Sequence, residues 1–294
     1  MIRIGEINYL NVYPIYYYLK KALKNDSKKN FMNFISGSPA FLNGKLKAGS
    51  IDISPSSSFY YILNYQRSYI FPDLSISSKK KVKSIYLFSP KPIEDFNENE
   101  TIYVTPETLT SINLLKVLLA EIYKMDLNEI KFTTLKPDDK LELKLGPVAG
   151  GEAIKGGIFL HIGNNALKLT KHIPEGYFAY DLADLWYRYT GYPFVFALFI
   201  INKEAYDKNK NEFDILKALL IESKITAVSG LREAAESISK LNEYKFISYE
   251  ELIEYWTECL SFDLGKNEIG GLKLYSELLY KSRLISSIPK LNFV

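Results

Sequence analysis

Several features that would identify common classes of protein are scarce or missing in this sequence. Its 294 residues include one cysteine, Cys259, so no internal disulfide can form, and this favours a reducing compartment. The two histidines, His161 and His172, form no cluster with it, which argues against a zinc site. No apolar run approaches the roughly eighteen residues of a membrane span, and the segment MIRIGEINYL lacks the apolar stretch of a secretion signal. We therefore expect a soluble, cytoplasmic protein with no membrane partner.

The sequence also has no large excess of charge of either sign. The 37 basic residues nearly balance the 34 acidic ones, and no basic stripe of the kind used to bind nucleic acid is present. The sequence also has no G-x-S-x-G elbow, no P-loop and no G-x-G-x-x-G fingerprint. The glycine-rich stretch GPVAGGEAIKGG matches neither phosphate-binding spacing, and we predict that it is a flexible loop. These absences predict a protein without a metal or an organic cofactor.

What is present is an alternation of short apolar runs and helical patterns, which is typical of an α/β fold. The length favours two lobes over one. Ser38 and Pro39 suit the N-cap and first turn of a helix, and Pro14 suits the first turn of another. Predicted strands cover Ile2 to Ile7, Ile51–Ser54, Ser84 to Ser89, Thr101 to Thr105, Gly156 to Gly163 and Phe194 to Ile201. After the last of these the chain is predicted to be mainly helical, with helices near Glu204–Lys224, Leu231–Leu241, Tyr249–Leu260 and Gly271–Ser282.

Small polar residues follow several of the predicted strands or open the helices after them. They are Asn8, Asn11, Ser56 to Ser58, Ser84, Thr108 to Ser111, Asn164 and Asn165. Each of them alone is compatible with a simple helix cap. Open α/β sheets bind ligands beyond the carboxyl ends of their strands, and helix N-termini favour anions, so together they predict a cleft for a carboxylated small molecule. This pattern leaves binding and catalysis equally open.

Several blocks of the sequence resemble one family. They are IGEINYLNVYPIYYYL, GSPAFLNGKLKAGSIDISPSSSFYY, FPDLSIS with VKSIYLFS, LTSINLL, LHIGNNAL and YDLADLWYRYTGYPFVFALFI, followed by the weaker match YWTECLSFDLGKNEIGGLKLY. They occur in the order found in chorismate dehydratases, which open the futalosine route to menaquinone. The resemblance implies a two-lobed periplasmic-binding-protein type II fold with the ligand cleft between the lobes. It also implies an enzyme that removes water from chorismate to give 3-[(1-carboxyvinyl)oxy]benzoate, with no cofactor and no obligatory protein partner.

The resemblance also implies which residues act. Asn11 and Ser84 match family positions tied to catalysis, and both can donate hydrogen bonds to charge that grows in the transition state. The candidates for holding the substrate, its two carboxylates above all, are Ser57, Ser58, Thr110, Ser111 and Asn164.

The sequence departs from the family pattern at two positions. Asn164 stands where the family usually has an acid, and His161 stands where an aliphatic residue is expected. The identity of the base stays open between the enolpyruvyl carboxylate of the substrate and His161, whose residue type suits proton transfer.

Other functions stay open beside this one. The sister enzyme 1,4-dihydroxy-6-naphthoate synthase would use a cleft histidine, and the NYLN block argues against it. A solute-binding protein of the same fold would be exported, and a ligand-sensing regulator would carry a helix-turn-helix segment. For the lobes we predict residues 1–95 and 185–294 in one and residues 96–184 in the other.

Overall fold

The computed structural model describes residues 1–24, 31–97, 99–135 and 157–294. Within these residues the chain forms eleven strands: β1 (Ile2–Ile7), β2 (Met32–Gly37), β3 (Ile53–Ser57), β4 (Ser68–Ser78), β5 (Ile85–Ser89), β6 (Thr101–Val104), β7 (Lys131–Thr134), β8 (Ile158–Ile162), β9 (Phe178–Asp181), β10 (Val195–Asn202) and β11 (Leu260–Ser261). The glycine-rich stretch predicted as a loop lies, apart from Gly157, outside the described residues.

The same residues form eleven α-helices: α1 (Tyr13–Lys24), α2 (Pro39–Lys47), α3 (Ser58–Asn64), α4 (Leu109–Glu121), α5 (Gly163–Leu169), α6 (Leu182–Thr190), α7 (Lys203–Lys208), α8 (Lys210–Ser229), α9 (Leu231–Ile238), α10 (Tyr249–Glu254) and α11 (Lys266–Lys281). A π-helical turn, Tyr255–Cys259, follows α10 directly. The predicted start of α2 is confirmed, because the Ser38 side chain accepts a hydrogen bond from Phe41 N–H and Pro39 is the first helical residue.

The strands form two sheets, which confirms the α/β class. The larger sheet has the order β11-β4-β10-β3-β1-β2, and the smaller has the order β7-β6-β8-β5-β9. In the larger sheet β1 runs parallel to β2 and β3, while β10 is antiparallel to β3 and β4. In the smaller sheet β6 runs parallel to β7 and β8, and β5 is antiparallel to β8 and β9. Each sheet therefore combines a parallel part with antiparallel strands that return from elsewhere in the chain.

The chain passes from the larger to the smaller sheet between Ser78 and Ile85 and returns between Asp181 and Val195. The first passage lies before β5, because β5 pairs with β8 and β9, and an isolated apolar run such as SIYLF does not reveal which sheet it will join. The division into lobes at residues 95 and 184 stays a prediction, and the sheets place β5 with the second segment.

Several elements differ in the structure from those predicted. The strand predicted at Ile51–Ser54 runs instead from Ile53 to Ser57, because it pairs with β10 over this range. The helix predicted near Glu204–Lys224 is two helices, α7 and α8, separated at Asn209. The long strand β4 was not predicted, since Pro72 and Asp73 resemble a break; Asp73 takes a positive φ of 60°, and the pairing with β10 shifts register nearby.

Two apolar clusters fill the interior. One packs the helices α4 and α6 and the π-helical turn against the smaller sheet, with Trp186 and Tyr255 among its largest side chains. The other lies on the larger sheet and includes Tyr61 and Phe199. Full burial of a large apolar side chain stabilises the fold by about 1.5–3 kcal/mol. The clusters include side chains of α1, α3, α4 and α5, the helices that follow β1, β3, β6 and β8, and therefore fix these helices against the sheets.

Candidate active site

Two hydrogen bonds connect the strand ends of the larger sheet to those of the smaller one. The backbone N–H of Leu10 donates to Asn164 Oδ1 at 3.3 Å. The hydroxyls of Ser57 and Thr110 lie 2.6 Å apart. Because these residues follow β1, β8, β3 and β6, the polar strand ends grouped by the sequence do meet in the fold.

The Ser57–Thr110 junction is internally satisfied. The Thr110 hydroxyl donates to the Phe196 carbonyl at 3.3 Å and accepts from Phe59 N–H at 3.4 Å. The Ser57 hydroxyl caps α3 by accepting from Tyr60 N–H at 3.1 Å. Since Thr110 uses its single proton on Phe196, the Ser57 hydroxyl is the donor in the bond between the two side chains. Both protons are thus already used within the protein.

Ser84 lies at the start of β5 and is almost fully buried, with 2% exposure. Its hydroxyl accepts a hydrogen bond from the Tyr255 hydroxyl at 2.9 Å, and its carbonyl accepts one from Gly163 N–H at 2.7 Å. Gly163 has a φ of 64°, and a Cβ there would lie 3.1 Å from the Tyr9 ring, so this position requires glycine. Burial and the nearby Glu107 charge raise the pKa of Tyr9 to about 12, so its phenol stays protonated at neutral pH.

Asn11 lies in the turn between β1 and α1. Its neighbour Leu10 is fully buried, and the Leu10 carbonyl accepts a hydrogen bond from Trp256 Nε1 at 2.7 Å. The Asn11 Oδ1 atom is buried and has no hydrogen-bond partner in the described part of the chain. An unpaired buried polar atom costs about 1–3 kcal/mol, a cost that a bound ligand can offset. An amide can present either its oxygen or its NH₂ group to such a ligand.

The other predicted substrate-binding residues lie at helix starts. Ser58 begins α3, is fully buried, and its hydroxyl has no partner among residues 1–24, 31–97, 99–135 and 157–294. Ser111 is buried in the first turn of α4. Asn164 lies in the first turn of α5 and is half-buried, with its side-chain oxygen turned to Leu10. Every residue predicted for the site therefore lies next to the end of a strand or in the first turn of a helix, and contacts between the two sheets are seen for Ser57, Thr110 and Asn164.

His161 lies on β8, opposite Tyr86 of β5. Its ring centroid lies 6.0 Å from that of Phe88 and 6.3 Å from that of Phe159. Neither ring nitrogen has a hydrogen-bond partner among the residues described. Burial lowers the pKa of His161 to about 4, so the imidazole is neutral at pH 7 and a weak base.

The described residues contain no group of three or more His, Cys, Asp and Glu side chains that could hold a metal ion. No helix among them has both the length and the apolar character required to cross a membrane.

Sequence reasoning missed Tyr255 and Trp256. They lie in the π-helical turn and bond to Ser84 and Leu10, and both are buried. In the sequence they resemble ordinary core aromatics of a helical segment, and no spacing rule relates them to residues near the N-terminus. The signal that could have identified them is the weaker family block, which begins with YWTECLSFDLG.

Solved structures with a similar fold cover nearly the whole chain. A protein of Archaeoglobus fulgidus superimposes with a TM-score of 0.71 at 16% identity, over 97% of this chain and 98% of its own. A Candida albicans protein with the generic periplasmic binding protein fold gives 0.66 at 12% identity, over 98% and 91%. The alkanesulfonate-binding protein of Xanthomonas axonopodis pv. citri, bound to MOPS, also gives 0.66 at 12% identity, over 99% and 96%. These similarities establish the periplasmic-binding-protein fold that the sequence predicted.

Curated relatives are more informative about the family. The chain is 26% identical to the chorismate dehydratase of Thermus thermophilus over 290 residues, which is 94% of each protein. It is 31% identical to the chorismate dehydratase of Campylobacter jejuni over 196 residues, or 66% of this chain and 65% of the relative. The model of the family described as menaquinone biosynthesis matches residues 2–281. This match spans nearly the whole chain, both sheets included, and the chain therefore belongs to the menaquinone biosynthesis family.

Proposed function

We propose that this protein is a chorismate dehydratase that eliminates water from chorismate to give 3-[(1-carboxyvinyl)oxy]benzoate. The observation that carries the proposal is the similarity to the Thermus thermophilus enzyme over 94% of both chains. Buried polar side chains at the strand ends that have no partner in the described residues, such as Ser58 and Asn11, support it, because chorismate has two carboxylates and a hydroxyl that require polar partners. With the single cysteine, this biosynthetic role favours a cytoplasmic location and a small-molecule substrate without an obligatory protein partner.

The reaction removes the hydrogen at C3 and the hydroxyl at C4 of chorismate and makes the ring aromatic. Aromatisation makes the overall step strongly favourable, so the difficulty lies in removing a weakly acidic carbon-bound proton. Negative charge then spreads towards the ring carboxylate. Hydrogen-bond donors fixed near that carboxylate accelerate the step, because they bind the transition state more strongly than the substrate.

Ser84 and Asn11 are the donors that we assign to this charge. The Ser84 hydroxyl is held by Tyr255, and its own proton is not used by any described residue. The backbone turn that carries Asn11 is anchored by Trp256, which donates to the Leu10 carbonyl. Ser58, Ser111 and Asn164 are assigned to substrate binding, while Ser57 and Thr110 hold the two sheets together beside it. The Ser57 and Thr110 hydroxyls would contact a carboxylate only by giving up a bond to the protein.

For the base we favour the enolpyruvyl carboxylate of chorismate itself. It is carried by C3 itself through the enol ether oxygen, so it lies close to the hydrogen at C3, and an intramolecular proton transfer benefits from a high effective molarity. His161 is the rival, and its surroundings argue against it. The ring is buried beside Phe88 and Phe159, and neither of its nitrogens has a polar partner in the described residues that would orient it as a base.

The decisive experiment is to incubate the purified protein with chorismate alone and follow the mass of the product. We expect a product lighter by one water, formed without added metal, nucleotide or flavin. Pretreatment with a chelator should leave the rate unchanged. Activity that disappears with the chelator and returns with a divalent ion would contradict the cofactor-free reaction, and no product at all would contradict the function.

A further inference from the structure

The π-helical turn Tyr255–Cys259 joins α10 to β11 and lies far along the chain from the polar strand ends. Such turns are rare, and they occur frequently at functional sites. Here two consecutive residues of the turn reach the two segments that carry Ser84 and Asn11. Tyr255 bonds to the Ser84 hydroxyl, and Trp256 bonds to the carbonyl of Leu10, the residue before Asn11.

The bond between Tyr255 and Ser84 has a defined direction. The Tyr255 hydroxyl is the donor and Ser84 Oγ the acceptor, at 2.9 Å in a buried environment. Burial raises the pKa of Tyr255 above its ordinary value, so the phenol keeps its proton at neutral pH. Ser84 thus has one lone pair occupied, and within the described chain no other group takes part in a bond with its hydroxyl.

This direction has a chemical consequence. A hydroxyl that accepts a strong hydrogen bond becomes a better donor, because successive bonds in a chain polarise one another. It also loses freedom to turn, so the Ser84 proton is directed away from Tyr255. A phenylalanine at 255 would fill the same volume without fixing that proton.

We infer that Tyr255 is a positioning residue, which orients and polarises the Ser84 hydroxyl so that Ser84 donates its proton to the charge developing on the substrate. This inference rests on the proposed dehydratase function. It goes beyond that function by assigning a role to a residue of the C-terminal helical segment, 171 positions away from Ser84.

The test is a double-mutant cycle on chorismate turnover with Tyr255→Phe and Ser84→Ala. In the wild-type background Tyr255→Phe should lower kcat about 10-fold, the effect of losing one hydrogen bond, with KM changed less than about twofold. In the Ser84→Ala background the same change should alter kcat less than about twofold, because its effect passes through Ser84.

The matched control is Tyr61→Phe. Tyr61 is also fully buried, and its hydroxyl bonds to Lys290 and Asn292 in the C-terminal segment instead of to a cleft residue. It should lower the melting temperature at least as much as Tyr255→Phe does, and leave kcat unchanged. Equal kcat losses in both tyrosine variants would mean a purely structural effect and would overturn the inference.

A second substitution covers the case in which Tyr255→Phe does not fold. Ring-fluorinated tyrosine at position 255 keeps the hydroxyl and makes it a stronger donor, so kcat should be equal to or above that of the wild type. A lower kcat in this variant, or a Tyr255→Phe effect of the same size in both Ser84 backgrounds, would overturn the inference while the dehydratase function stands. A wild-type protein that does not turn over chorismate would contradict both the dehydratase function and the role inferred for Tyr255.

Discussion

The two places where polar side chains meet between the sheets differ in how their protons are used. At the Ser57–Thr110 junction both hydroxyl protons go to acceptors within the protein, and two backbone N–H groups donate to the same oxygens. At the other place Tyr255 bonds to the Ser84 side chain and Trp256 to the backbone of Leu10 beside Asn11, but the Ser84 proton and Asn11 Oδ1 have no partner in the described residues. The first place has the character of a structural joint, and the second is where we propose that the ligand binds.

This difference is not visible in residue type, because both places are built from small hydroxyl and amide side chains that follow strands. It becomes visible only when each donor and acceptor is assigned a partner. Buried polar groups that are satisfied contribute to stability, while unsatisfied ones reduce it and persist where binding or catalysis requires them.

The largest expected effect compares the two serines directly. Ser84→Ala should lower kcat by about 10²–10³ with little change in KM, since it removes a donor that acts mainly in the transition state, and Asn11→Ala should behave similarly. Ser57→Ala should instead lower the free energy of unfolding by about 1 kcal/mol, the usual cost of a lost N-cap, with a much smaller loss of kcat. Steady-state kinetics and thermal melts of the three variants measure both quantities. Equal kcat losses for Ser57→Ala and Ser84→Ala would contradict the assignment of a structural role to Ser57 and a catalytic role to Ser84.

His161 extends the comparison to a buried polar group that lies between aromatic rings. Its folded pKa, about 4, is below the value of 6.5 expected in the unfolded chain, so the unfolded state takes up the proton first as the pH falls. Stability is therefore unaffected above pH 6.5 and decreases between pH 6.5 and 4, by up to about 3 kcal/mol. Denaturant unfolding at several pH values should show wild type losing this amount relative to His161→Gln, which cannot titrate.

The His161→Gln variant also tests whether His161 is the catalytic base. His161→Gln should keep kcat within about tenfold of wild type at pH 7, because a general base usually contributes at least 10²-fold. Collapse of turnover in His161→Gln with near-normal turnover in Ser84→Ala and Asn11→Ala would make histidine the base and overturn the substrate-assisted scheme.

A smaller effect is expected from Thr110→Val. The substitution keeps the size of the side chain but leaves Ser57, Phe59 N–H and the Phe196 carbonyl each without one partner. We expect the free energy of unfolding to fall by about 1–3 kcal/mol and kcat to fall far less than in Ser84→Ala. Thr110→Ser, which retains the hydroxyl, is the control. If Thr110→Val lost turnover while keeping its stability, this junction would belong to the catalytic apparatus.

The smallest effect concerns Asn164, where the family usually has an acid. In Asn164→Asp the bond from Leu10 N–H would go to a charged acceptor, and such bonds are stronger than neutral ones. Stability at pH 7 should rise by no more than about 1 kcal/mol, with kcat near that of wild type, and the gain should disappear in acid as the carboxylate is protonated. Asn164→Ala, which removes the bond, is the reference, and melts of the two variants at pH 7 and pH 4 give the comparison.

The elements that could be predicted from the sequence are those fixed by neighbouring residues. Ser38 and Pro39 predict the start of α2, Pro14 predicts that of α1, and the serine run at residues 56–58 predicts that of α3. These starts can be predicted because helix caps and the fixed φ of proline act within one turn. The predicted bounds of β3 were wrong and β4 was not predicted, because pairing with the distant strand β10 decides the extent of both. The predicted site residues came from the strong blocks of the resemblance and from their positions at strand ends, and Tyr255, which lies in the weaker block, was not among them.

By itself, the sequence determined the α/β class, the helix starts and the positions of the polar residues at strand ends, because each depends on a local pattern of apolar, capping and turn residues. Only the tertiary structure decided which sheet β5 joins, which hydroxyls use up their protons, and which side chain orients Ser84. The physical reason is sequence distance: Ser57 and Thr110 are 53 positions apart, and Ser84 and Tyr255 are 171 apart. Hydrogen bonds over such separations form only after the sheets and their apolar clusters have brought the groups together.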